Sequence, residues 1–246
     1  MDQDREVYLD EKQLEFVNSP VQSCSVIGVP GCGKSTTIAK YVIEKKTQGI
    51  LNDKEILCIL FGKPAQLSLL KKMDGYNMFG YVRTFDSLCR EFLKKNKIYD
   101  MKNNYDRLND EAKNEIHNEI RRKCGIFMND PNTNMNFWNE LKLVIVDEAQ
   151  DINSNDFNII NCFKKKLSNL NLILIGDPNQ CIYSEMRFSN EKYLLTHNKK
   201  VYTLENNYRS SHEIVTFAAY FQNNKTKIVC SSGVHGPLPK YIKSDC

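Results

Sequence analysis

The sequence has no apolar run close to the ~20 residues that a membrane-spanning helix needs, so no membrane partner is expected. Its first residues, Met1 to Val7, are charged and lack the apolar core of a signal peptide. Nine cysteines stand singly, at 24, 32, 58, 89, 124, 162, 181, 230 and 246, with no C-x-x-C pair among them. That spacing argues against a zinc site. The count is odd and several sit in apolar stretches, which suits reduced thiols in an intracellular protein of the cytoplasm or nucleus. Neither sign of charge dominates: 34 basic against 30 acidic residues leave +4, a weak bias toward a polyanionic partner. There is no internal repeat and no low-complexity linker. The 246 residues, 41% of them hydrophobic, suffice for one large domain or two small ones with a sizeable core.

The first positive signal is Gly28-Val29-Pro30-Gly31-Cys32-Gly33-Lys34-Ser35, which fits G-x-x-x-x-G-K-[ST], the phosphate-binding P-loop. Residues 24–29 before it read as a buried strand, and residues 34–46 after it as a helix with Ile38 and Val42 on one face. Glycines let the backbone curl so that its N–H groups point at phosphate oxygens, and the helix N-terminus adds partial positive charge. Lys34 would reach the β- and γ-phosphates of a nucleotide, the Ser35 hydroxyl would ligate Mg²⁺, and Thr36 closes the phosphate-facing run. The motif alone says only that a nucleoside triphosphate binds.

Further along, apolar runs at 55–61, 81–84, 143–146, 172–175 and 201–204 read as strands. Helical patterns fall at 9–18 (capped by Asp10), from Pro64 to about Met73, at 86–95, 106–122, 153–165 and 211–222. Ser210 with Glu213 reads as a capping box opening the last of these. The alternation predicts an α/β fold with a parallel sheet flanked by helices. Residues 96–140 are polar and Asn-rich and read as a small helical insertion on that sheet.

Val144-Ile145-Val146-Asp147-Glu148 is an apolar strand ending in two acids, the Walker B pattern. Asp147 can hold Mg²⁺ through water, and Glu148 can take a proton from an attacking water. Leu174 to Gln180 is another strand running into a polar loop. Gln180 there is either a γ-phosphate sensor or part of an ordinary turn. Arg209, after the strand 201–204, either reaches the γ-phosphate or opens a helix at the surface, and Tyr208 could stack on a base. Gln13 either reads adenine through its amide or completes a capping box begun by Asp10. Phe61-Gly62-Lys63 and Thr84-Phe85-Asp86-Ser87 follow strand ends. Their aromatics, hydroxyls and cation suit single-stranded nucleic acid, and core packing is the alternative for Phe61 and Phe85.

Together these segments resemble superfamily 1 DNA helicases of the UvrD/Rep/PcrA type. Leu9-Asp10-Glu11-Lys12-Gln13 resembles that family's Q motif, and the P-loop its motif I. Phe61 to Ala65 is similar to motif Ia, and Thr84 to Ser87 to motif Ib. Asp147-Glu148-Ala149-Gln150-Asp151 has the D-E-A-Q-D form of motif II, Gly176 to Tyr183 is similar to motif III, and Asn207-Tyr208-Arg209-Ser210 to motif IV. The resemblance implies a RecA-like P-loop fold over 1–224, with residues 225–246 a stub leading toward a second RecA-like domain in the same or another chain. It implies that Gln13 and Tyr208 hold adenine and that Lys34, Ser35, Asp147 and Glu148 carry out Mg²⁺-dependent ATP hydrolysis. Gln180 and Arg209 would sense the γ-phosphate. Phe61, Lys63, Thr84, Phe85 and Tyr183 would touch single-stranded DNA, with RNA an open alternative.

Two departures stand out. Asp86 replaces the His usual in motif Ib, and the second aromatic after Tyr183 is missing or displaced. The family's motifs V and VI do not occur, and Gly236 to Ile242 resembles the first strand of the second domain. The competing readings are a truncated, weakly hydrolysing ATP- or nucleic-acid-binding module that acts with a partner chain, and a small-molecule kinase. The kinase reading explains the Walker motifs but not D-E-A-Q-D or N-Y-R-S.

Overall fold

The structure is a computed structural model and describes residues 8–76, 78, 81–98, 109–181, 200–222 and 227–240. Its centre is a six-stranded sheet of β1 (Cys24–Gly28), β2 (Ile56–Leu60), β3 (Val82–Thr84), β4 (Leu143–Val146), β5 (Asn171–Gly176) and β6 (Val201–Leu204). The spatial order is β3-β2-β4-β5-β1-β6, and every pairing is parallel. This is the mostly parallel, helix-flanked sheet expected of a RecA-like P-loop fold. The strands are short apolar runs because both of their faces are covered. Val26, Cys58, Ile145 and Ile175 face one helical layer, while Ile27, Ile59, Val146 and Leu174 face the other. Each fully buried Val, Ile or Leu among them contributes roughly 1.5–3 kcal/mol.

The first layer holds α1 (Glu11–Val17), α2 (Lys34–Thr47) and α3 (Lys63–Lys72), and the second holds α4 (Phe85–Lys95), α5 (Asp110–Asn129) and α6 (Ser154–Lys166). Each start has a local cause. Asp10 caps α1 in a capping box with Gln13, Pro64 sits in the first turn of α3, Thr84 caps α4 with Ser87, and Asn153 caps α6 with Asp156. A short parallel pair, β7 (Asn206–Asn207) and β8 (Val229–Cys230), lies beside α7 (His212–Ala219).

Three expectations change. The helix expected at 106–122 runs to Asn129, because Ile120, Cys124 and Met128 extend one buried stripe at helical spacing. This α5 packs against α4 and α6 and shares their core. Ser210 and Glu213 form no capping box. Ser211 is the N-cap of α7, and the Glu213 carboxylate instead accepts the Gly236 N–H at 2.8 Å and pairs with His235. Residues 236–240 form no strand, and Tyr241 and Ile242 lie outside the described residues, as do residues 99–108 of the polar block.

Candidate active site

The parallel arrangement brings the loops after β1, β4, β5 and β6 to one edge of the sheet, where open α/β sheets bind ligands. β5 lies between the P-loop strand β1 and the Walker B strand β4, and β6 flanks β1 on the other side.

The P-loop glycines are sterically required. Gly31 and Gly33 adopt φ of 70° and 81°, where other residues are strained. A Cβ on Gly28 would come within 2.8 Å of Cys32 Sγ and 2.9 Å of the Lys34 side chain. The curled backbone is therefore a cradle that side chains would fill. Lys34 Nζ folds back to donate to the Gly28 carbonyl at 3.3 Å. Gln13 braces the loop from α1: its Nε2 donates to the Cys32 carbonyl at 2.9 Å, and its Oε1 accepts the Asp10 N–H at 2.9 Å. Burial pushes the Cys32 thiol up to about 11, against the pull of Lys34, so it is no nucleophile.

Asp147 follows β4 and is 5% exposed. Burial first, then the Glu148 charge, pushes its carboxyl up to about 6, while Lys34 and the Glu148 N–H pull it down. Glu148 occupies left-handed backbone, φ 48° and ψ 45°, a conformation that costs a non-glycine residue about 1–3 kcal/mol. Hydrogen bonds hold it there: its N–H donates to Asp147 Oδ1 at 3.0 Å, its carbonyl accepts the Asp151 N–H at 2.9 Å, and its Oε2 accepts Gln150 Nε2 at 2.9 Å. Burial and then Glu148 also push Asp151 up to about 6.

Gln150 joins this acidic turn to the loop after β5. Its Nε2 also donates to Asp151 Oδ2 at 3.2 Å, and its Oε1 accepts the Asp177 N–H at 3.0 Å. Asp177 Oδ2 in turn accepts Gln180 Nε2 at 2.8 Å. A polar chain thus runs from Glu148 to Gln180. It requires a glycine at 176, where a Cβ would lie 2.4 Å from Gln150 Oε1.

After β6, Asn207 donates from Nδ2 to the Pro30 carbonyl at 2.7 Å, and its Oδ1 accepts the N–H groups of Arg209 and Ser210. The Tyr208 N–H donates to the Gly31 carbonyl at 3.0 Å. Arg209 is exposed and sits close enough that a Cβ on Gly31 would lie 2.8 Å from its own Cβ.

A family profile described as an AAA domain matches residues 13–186, most of the chain. The chain belongs to this family, as a superfamily 1 helicase ATP-binding domain. A protein of Acanthamoeba polyphaga mimivirus named as an ATP-dependent DNA helicase is 26% identical over 219 residues, which cover 85% of this chain and 30% of that protein. A Mycoplasma genitalium protein named as a DNA helicase II homolog is 37% identical over 70 residues, 28% of this chain and 10% of that protein. The crystal structure of Pif1 helicase from Candida albicans superposes with a TM-score of 0.45 at 16% identity, over 81% of this chain and 40% of that one. The chain thus spans under a third of either curated relative.

The strand ends of this helicase-type domain that lie away from the P-loop are less uniform. Phe61 is 45% exposed after β2, and Lys63 is exposed in the first turn of α3. The Thr84 hydroxyl caps α4, accepting the Ser87 N–H at 3.2 Å. Phe85 corrects the sequence expectation. Its ring is 2% exposed in the core, with the Arg121 guanidinium 5.7 Å away over its face, so it offers nothing to a nucleic acid. Asp86 accepts from Arg121 Nε at 2.9 Å, and Arg121 reaches on to Asp156 at 3.0 Å. Asp86 therefore ties α4 to α5. Tyr183 lies outside the described residues.

Sequence reasoning missed Gln150 as a bridge, Asn207 as a brace for the P-loop, and Asp10 as more than a cap. Gly176 was the available signal for Gln150, since a glycine closing a buried strand marks a close approach.

No helix among the described residues is long and apolar enough to cross a membrane. No group of three or more metal-ligating side chains occurs among them either. The oxygen donors Ser35 and Asp147 nonetheless fit a magnesium ion held mainly by nucleotide phosphates and water. The raised Asp147 carboxyl beside Glu148 is an acidic pair that Lys34 and one N–H offset only in part, and that a divalent cation would relieve.

Proposed function

We propose that this domain binds Mg-ATP and hydrolyses it, and that in the complete protein hydrolysis drives movement along single-stranded DNA and unwinding of the UvrD type. The observation that carries this reading is the polar chain Glu148–Gln150–Asp177–Gln180, set at the same sheet edge as the P-loop. In this reading the N–H groups of Gly31 and of residues 33–36, with the Lys34 ammonium, cradle the phosphates. Ser35 and Asp147 would hold the Mg²⁺, which would supply charge neutralisation at the phosphates. Glu148 accepts the proton of the attacking water as the new P–O bond forms and the bond to the β-phosphate oxygen breaks. Gln180 and Arg209 face the γ-phosphate. Gln13 and Tyr208 take the adenine: the two contacts that Gln13 already makes use one of its two donor hydrogens and one of its two acceptor lone pairs. Phe61, Lys63 and Thr84 offer a stacking face, a cation and a hydroxyl to the strand.

The test is a pair of variants. Lys34→Ala should abolish tight ATP binding by removing the charge that faces the phosphates. Glu148→Gln keeps the side-chain shape and removes the base. It should keep ATP binding and lose about 10²–10⁴-fold in phosphate release. Nucleotide titration and phosphate-release kinetics, with and without single-stranded DNA, read both effects. Equal loss of ATP binding in the two variants would mean that Glu148 serves the fold or the metal instead.

A further inference from the structure

The sequence gives Asp10 one role, the cap of α1. The structure gives its carboxylate two. Oδ1 accepts the Gln13 N–H at 2.8 Å, as a cap does. Oδ2 reaches across almost the whole chain to accept the Tyr208 hydroxyl at 2.6 Å and Asn206 Nδ2 at 2.8 Å. Tyr208 is itself fixed to the P-loop through its backbone, and Gln13 through its amide. Asp10 thus stands where α1, the P-loop and the segment after β6 meet. The residue touches both side chains assigned to the nucleobase, Tyr208 through its carboxylate and Gln13 Oε1 through its backbone N–H.

We propose that Asp10 is a positioning residue for nucleobase recognition: Oδ2 holds the Tyr208 ring, while Oδ1, on the Gln13 N–H, fixes the turn in which the Asp10 N–H holds Gln13 Oε1. The proposal rests on the reading in which Gln13 and Tyr208 hold the base. Three features favour it. The ring of Tyr208 is held by its far end, while the residue stays 43% exposed, which leaves a face for stacking. The bond is short and charge-assisted, a strong type. The groups also keep the protonation states it requires. Burial and then the Asp10 bond push the Tyr208 hydroxyl up to about 12. For Asp10, burial works to raise the carboxyl, but the bonds from Tyr208, Gln13 and Asn206 outweigh it and hold it below its ordinary value. Donor and acceptor are therefore constant across neutral pH.

A cap alone would stabilise α1 and leave ligand choice untouched, so the decisive readout compares ligands with and without a base. Isothermal titration of the 246-residue chain would use Mg-ATP and, separately, inorganic tripolyphosphate with Mg²⁺. Asp10→Ala should weaken Mg-ATP about tenfold, equivalent to ~1.4 kcal/mol, and leave tripolyphosphate unchanged. Asp10→Asn keeps an acceptor for the cap and a polar group for Tyr208, and should stay within about threefold of wild type. Tyr208→Phe keeps the ring and loses only the bond to Asp10. It tests the link even if Asp10→Ala folds poorly, and should weaken Mg-ATP by about three- to tenfold. Tyr208→Ala tests the underlying reading.

If Tyr208→Ala removes the advantage of ATP over tripolyphosphate while Asp10→Ala and Tyr208→Phe do not, the proposal is overturned and the base reading stands. If Tyr208→Ala leaves that advantage intact, the base reading falls and the proposal with it. Equal weakening of both ligands by Asp10→Ala would make Asp10 a brace for the P-loop and would also overturn it.

Discussion

Two buried aspartates in this domain have carboxyls pushed up to about 6, and they sit in opposite circumstances. Asp156, in the first turn of α6, is inside a completed network. Arg121 of α5 donates to both of its oxygens, at 3.0 and 3.1 Å, and also to Asp86 of α4, while the Asn153 N–H caps it at 3.2 Å. Burial raises its carboxyl and the Asp86 charge adds a smaller push, while Arg121 and the Asn153 N–H pull it back. Asp147, at the nucleotide edge, is raised by burial and raised again by Glu148, with only Lys34 and one N–H opposing. The first cluster holds three helices together. The second is left electrostatically unfinished by the protein, as a site that takes a cation and phosphates should be. The same displacement from the ordinary value therefore accompanies a structural tie in one place and, in the function proposed above, a ligand site in the other, and the partners decide which.

The largest effect should come from breaking the finished cluster. Arg121→Met removes the one cation shared by Asp86 and Asp156 and leaves Asp156 buried beside its cap alone. Breaking a buried pair from one side costs about 3–5 kcal/mol. For a chain of this size that is a fall in Tm on the order of 10 °C. Thermal unfolding of the nucleotide-free protein measures it. A change below a degree would mean that the α4–α5–α6 layer is held by its apolar contacts and that the ion pairs are incidental.

A smaller effect of opposite sign should follow at the nucleotide edge. Asp147→Asn removes a charge that the folded protein without ligand compensates only in part. It should stabilise the nucleotide-free chain by about 1–3 kcal/mol at pH 7.5 while abolishing Mg-dependent turnover. The pH dependence carries the sign. A carboxyl at about 6 when folded and 3.8 when unfolded binds its proton more tightly in the folded state. Its favourable contribution is full below 3.8 and is lost as pH rises through about 6. The variant's advantage should therefore be present above pH 6 and close toward pH 4. Tm measured from pH 4 to 8 on both proteins tests this, and a constant gap across the range would assign the stabilisation to packing.

The contrast also explains which parts of the molecule can be read from the sequence. The strands are visible because each is an apolar run covered on both faces, and the P-loop because its glycines are forced by local backbone geometry. Walker B is visible because two acids ending an apolar strand are unusual. What depends on distant partners is not. Nothing near Asp86 in the chain announces Arg121, 35 residues on, so its charge reads as a departure from a motif when it is a tie to α5. Gln150 reads as one letter of D-E-A-Q-D, and its bridge to Asp177 becomes evident only when β4 and β5 lie side by side. The extent of α5 was missed because Cys124 and Met128 do not read as an apolar stripe until α4 and α6 flank them. Ser210 and Glu213 had capping-box spacing, but His235 and Gly236 compete for the glutamate.

The smallest expected effect separates two phenylalanines that the sequence places alike. Phe61 and Phe85 both follow the ends of strands, β2 and β3, which are neighbours in the sheet. Phe85 is 2% exposed and carries core packing, whereas Phe61 is 45% exposed. Truncating a half-exposed ring removes little burial, so Phe61→Ala should change unfolding stability by no more than about 0.5 kcal/mol. If the ring stacks on a base of a bound strand, the same change should weaken single-stranded DNA binding by ~1–3 kcal/mol. That is an affinity loss of about fivefold or more, roughly equal for different base compositions because every base offers a face. Fluorescence anisotropy with poly-dT and mixed-sequence oligonucleotides at fixed salt would show it, alongside chemical denaturation of the same samples. Unchanged DNA affinity together with a stability loss above 1 kcal/mol would put Phe61 with Phe85 as a packing residue. The β2 and β3 ends would then contribute structure only, and strand contact would have to come from elsewhere on the protein.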